Sequence, residues 1–93
     1  MPATIHVKPN GPGRFQVTVT EGDSQSRHTV SLSPEYYEKL TQKQVPEGSL
    51  IKRSFQFLLE RESKESILRE FDLSLIGHYF PNYENEIRKR LAP

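Results

Sequence analysis

Hydrophobic and polar positions alternate along the first third of the chain. Thr4 to Lys8 places Ile5 and Val7 on one face. Arg14 to Thr20 sets Phe15, Val17 and Val19 against Arg14, Gln16, Thr18 and Thr20. Ser26 to Ser33 repeats the pattern, with His28, Val30 and Leu32 opposite Arg27, Thr29 and Ser31. A period of two is that of a strand with one wet face. The links are dense in turn formers: Pro9-Asn10-Gly11-Pro12-Gly13 and Glu21-Gly22-Asp23-Ser24. These runs predict a three-stranded antiparallel meander with one buried face.

From Ser33 onward the period lengthens. Ser33 at the N-cap, Pro34 at the first helical position and Glu35 in the first turn predict a helix to about Gln44. The central helix is expected over Gly48 to Glu60, with Glu47 or Ser49 near its cap. Leu50, Ile51, Phe55, Phe57, Leu58 and Leu59 spread over an arc wider than a surface helix needs, which implies core contacts on more than one flank. Beyond it, Ser63 or Ser66 can cap a short helical piece with Ile67, Leu68 and Phe71. Asp72 or Ser74 can cap another with Leu75, Ile76, Tyr79 and Phe80. Pro81 breaks the pattern, and Asn82 can cap a last helix carrying Tyr83, Ile87 and Leu91. Strands over about 4–33 followed by three to five short helices over about 34–91 predict a single small α+β domain across 1–93.

Composition narrows the function classes. The 93 residues suffice for one core. A mean hydropathy of −0.71 is polar for a globular chain, but the clustered, periodic apolar positions argue against disorder. There is no cysteine, so disulfides and thiolate metal sites are excluded. No apolar run reaches membrane-spanning length and Met1 to Lys8 is not a signal peptide, so a cytoplasmic protein without membrane contact is expected. Thirteen Lys and Arg against 12 Asp and Glu leave a net charge of +1, little support for a dedicated nucleic-acid binder.

The chain offers no catalytic constellation. His6, His28 and His78 lack metal-ligand spacing, and His28 shares a strand face with Val30 and Leu32, as a packed histidine does. Glu60, Glu62, Glu65 and Glu70 interleave with Arg61, Lys64 and Arg69 as solvated ion pairs. The glycine-rich Asn10 to Gly13 lacks the lysine of a phosphate loop. No enzyme activity, metal or cofactor is expected. The aromatic group Tyr79, Phe80 and Tyr83 around Pro81 supplies candidate anchors for an unidentified protein partner, which makes a monomeric macromolecular interaction module the leading reading.

A second reading comes from a resemblance. HTVSLSPEYYEKL followed by VPEGSLIKRSFQFLL, within residues 26–59, resembles the strand, proline-started helix, turn and second helix of the ribbon-helix-helix DNA-binding regulators and antitoxins. The resemblance implies a dimer whose strands pair as a ribbon in the major groove. Arg27, Thr29 and Ser31 would take the base-reading positions. Gly48 and Ser49 would hold phosphate at the helix start, with Lys52 and Arg53 nearby. The segment from Ser63 onward would then be free to hold a protein partner such as a toxin.

Overall fold

The computed structural model describes residues 3–91; residues 1–2 and 92–93, the ends of the expected domain, lie outside the described residues. Three strands, β1 (Thr4–Pro9), β2 (Arg14–Glu21) and β3 (Ser24–Ser31), form the antiparallel meander the alternation predicts. Its register places Ile5, Val19, Val17, Phe15, His28 and Val30 on the inner face. The β2–β3 loop has two residues between paired Glu21 and Ser24, with Gly22 at φ 59°, the glycine-first pattern of a tight hairpin. At the other hairpin Gly13 (φ 67°) approaches so closely that a Cβ would stand 3.2 Å from the Leu32 carbonyl.

Helix α1 (Pro34–Thr41) opens as expected: the Ser33 hydroxyl accepts the Tyr36 N–H at 3.1 Å and Pro34 follows at the first position. It ends at Thr41, short of Gln44, because Gln42 and Lys43 turn left-handed at φ 53° and 60°. Helix α2 (Glu47–Leu59) falls within a residue of expectation, although Pro46 occupies the cap position and Ser49 caps nothing with its side chain. Both flanks of its apolar arc are used. Phe55 packs on the sheet, 5.3 Å from the His28 ring and 6.0 Å from Phe71. Phe57 packs on the other side, 5.3 Å from Tyr83 of the last helix.

The helical piece expected around Ile67 to Phe71 is instead a 3₁₀ turn at Lys64–Ser66 and a short strand, β4 (Glu70–Asp72). β4 runs parallel to β3, with Thr29, Val30 and Ser31 opposite Glu70, Phe71 and Asp72, giving a four-stranded sheet of order β1-β2-β3-β4. Pairing with β3 recruits the backbone here: Thr29 N–H donates to the Arg69 carbonyl (2.6 Å) and Leu73 N–H to the Ser31 carbonyl (2.9 Å). Helices α3 (Leu75–Tyr79) and α4 (Tyr83–Leu91) complete the chain. The architecture is α+β, with helices covering one face of the sheet and the Arg27-bearing face left open. No described helix is long and apolar enough to cross a membrane.

Candidate functional site

The strand-to-helix switch after α2 creates a groove. The bent segment before β4, β4 itself and the turn after it place Ile67, Phe71 and Leu73 in the core and leave Leu68 exposed. The end of α2 contributes Leu58 and Glu62, and α3 contributes Leu75, Ile76 and Tyr79, with Phe80 just after it. Between them lies an open groove of about 420 Å³. Its floor is core: Leu58, Ile67, Phe71 and Ile76 are buried. Two side chains near its mouth are the large hydrophobic residues most exposed among those described, Leu68 at 50% and Tyr79 at 64%.

The groove wall is pinned to the sheet by a buried histidine. His28 lies 2.7 Å through Nδ1 from the Leu68 carbonyl and 2.8 Å through Nε2 from the Ser26 hydroxyl. The carbonyl can only accept, so Nδ1 carries the proton, and Nε2 of the neutral ring accepts from Ser26. Burial lowers the His28 pKa most; the Leu68 carbonyl raises it, and Arg69 lowers it further. Asp72 holds the far end. It accepts from the Ser31 hydroxyl (2.9 Å), the Ser74 N–H (3.0 Å) and the Ser74 hydroxyl, entering α3 through an Asx turn. Burial pushes its pKa up, but the hydrogen bonds from Ser74 and Ser31 outweigh it and the net shift is downward.

The three aromatic candidates divide. Tyr79 and Phe80 both line the groove, Phe80 half-buried with its ring 5.8 Å from that of Phe57. Tyr83 is 0% exposed, and its hydroxyl lies 2.6 Å from the Ser54 hydroxyl on α2. As a partner anchor Tyr83 is therefore corrected: it is a core residue, and its four-residue spacing with Ile87 marks the inner face of α4. Tyr36 and Tyr37 are also engaged internally, donating to Glu84 and to the Val45 carbonyl.

The DNA candidates do not converge. Arg27, Thr29 and Ser31 do share the outer sheet face, but Ser31 is bonded to Asp72. β3 is paired on one side with β2 and on the other with β4 over Thr29–Ser31, which leaves little free edge for an intersubunit ribbon. Gly48, Ser49, Lys52 and Arg53 belong to α2, across the sheet from Arg27. His6 and His78 are exposed and far apart in the chain, and among the described residues no three His, Asp or Glu side chains gather as a metal site would require.

The sequence reading missed Leu68, Glu62 and Leu75 as groove residues. A period of two fails here, because Arg69 shares the phase of Ile67, Phe71 and Leu73 yet is exposed, so no local pattern marks Leu68. Comparison with known proteins finds no matching family model, curated protein or solved structure.

Proposed function

We propose that the chain is a small non-catalytic interaction module that docks a protein partner in the groove between the end of α2, β4 and α3. Tyr79 and Phe80 are its aromatic anchors, and Leu68 is the aliphatic one. One observation carries this reading. Two large apolar side chains at least half exposed stand at one open groove whose floor is already core. Single exposed apolar residues are ordinary surface, whereas a contiguous apolar patch marks an interaction site. Burying the exposed part of each against a partner would stabilise a complex by about 1 kcal/mol or more. Aromatic anchors beside a concave apolar surface are the usual centres of binding energy.

The test compares two faces. Immobilised full-length protein should lose its specifically retained partner when Leu68→Ser and Tyr79→Ser are combined, and keep it with Arg27→Ala on the open sheet face. Loss with Arg27→Ala alone would move the function to the sheet. Retention by both variants would end the reading.

A further inference from the structure

The groove has one charged wall, and its charge is uncompensated. Glu62 lines the groove half-buried, and no described residue gives its carboxylate a hydrogen bond or an ion pair. The nearest cations in sequence are committed elsewhere. Arg61 lies over the Phe57 ring at 3.7 Å and bonds the Phe57 carbonyl, while Lys64 is buried between Glu21 and Glu65. Arg69 and His78 are exposed but do not line the groove.

The helix behind Glu62 sharpens this. Glu60 and Glu62 follow the negative end of α2, where the nearby Arg61 is taken up by the Phe57 carbonyl and by Glu60. Glu60 is relieved by Arg90 and Arg61. Glu62 has no such relief among the described residues. An apolar groove ending in an unpaired carboxylate at a helix C-terminus calls for a ligand that brings its own cation.

We propose that the groove recognises a basic amphipathic peptide segment of a partner protein, with an apolar side chain seated between Leu68 and Tyr79 and a lysine or arginine reaching Glu62. This rests on the docking reading above and names the partner's chemistry. Charge complementarity sets the choice: an acidic segment would place like charges across a partly desolvated wall. The exposed Tyr79 ring offers the arriving cation a second favourable surface.

The test titrates isotope-labelled full-length protein with two synthetic amphipathic helices of about 14 residues, identical in leucine pattern, one carrying lysine and the other glutamate. Amide spectra report where each binds. The Leu/Lys peptide should perturb residues around Leu68, Glu62 and Tyr79 and bind about tenfold or more tightly than the Leu/Glu peptide. Glu62→Gln should erase most of that preference while leaving the spectrum of the free protein otherwise unchanged. Combined Leu68→Ser and Tyr79→Ser should abolish binding of the Leu/Lys peptide. Equal binding of both peptides in the groove would overturn the basic preference and leave the docking reading standing. Failure of both to perturb the groove, or binding of the Leu/Lys peptide only elsewhere, would overturn the two together.

Discussion

His28 faces the core from β3, and burial holds its pKa below the ordinary histidine value of 6.5. Protonation leaves the Nδ1–H bond to the Leu68 carbonyl in place, so it is burial of the charged ring, with Arg69 nearby, that disfavours the protonated form. Stability from this site is therefore full above the unfolded pKa and is lost as the pH falls through 6.5 toward the lowered folded value. The urea midpoint should drop between pH 7.5 and pH 5, and the part due to His28 should vanish in His28→Gln, whatever that variant's own stability. The alternation showed that His28 packs inward, but its partner lies 40 residues away and no local pattern could supply it. Ser54 was legible in principle, since it falls between Leu50 and Leu58 at four-residue spacing, yet a lone serine reads as a break in the apolar arc. It is instead fully buried, bonding the Leu50 carbonyl and the Tyr83 hydroxyl. Tyr83→Phe should cost about 1 kcal/mol, whereas Tyr79→Phe, at an exposed ring, should stay within about 0.5 kcal/mol by urea denaturation. Gln42, the left-handed residue closing α1, should gain up to about 1 kcal/mol as Gln42→Gly.

Elements with a self-contained period were legible. The three meander strands and α2 follow from the spacing of their own apolar residues, and the Ser33-Pro34 start of α1 from local capping chemistry. β4 was not. Three residues carry no recognisable period, and the segment is extended because β3, the His28 ring and the Ser31 hydroxyl bind it there. Ile67, Leu68 and Phe71 at helical spacing invited the wrong element, and tertiary pairing decided otherwise. The width of the α2 arc, by contrast, correctly implied two packed flanks. Phe57→Ala should cost about 3–5 kcal/mol, since its ring meets Tyr83, Phe80 and the Arg61 guanidinium, while Lys52→Ala on the exposed side should stay within about 0.5 kcal/mol. A small loss for Phe57→Ala in urea denaturation would remove α2 from the centre of the core.

At the scale of the whole molecule, the helices on one side and the open sheet on the other separate the two surfaces that the sequence suggested. Arg27 lies on the open sheet face and the start of α2 belongs to the helical side, whereas Tyr79 and Phe80, which the sequence grouped, line one groove. The groove itself was illegible because its mouth draws on α2, the Leu68 segment and α3, brought together only when β4 docks. This groove, and not the open sheet, is the proposed docking surface for the partner. Site-specific photocrosslinking tests it directly: a benzophenone side chain at position 79 is compared with one at position 27, each in the full-length protein within its native extract. A discrete adduct from position 79 and none from position 27 is the predicted result. An adduct from position 27 with none from position 79 would contradict docking in the groove and place the partner on the Arg27 face.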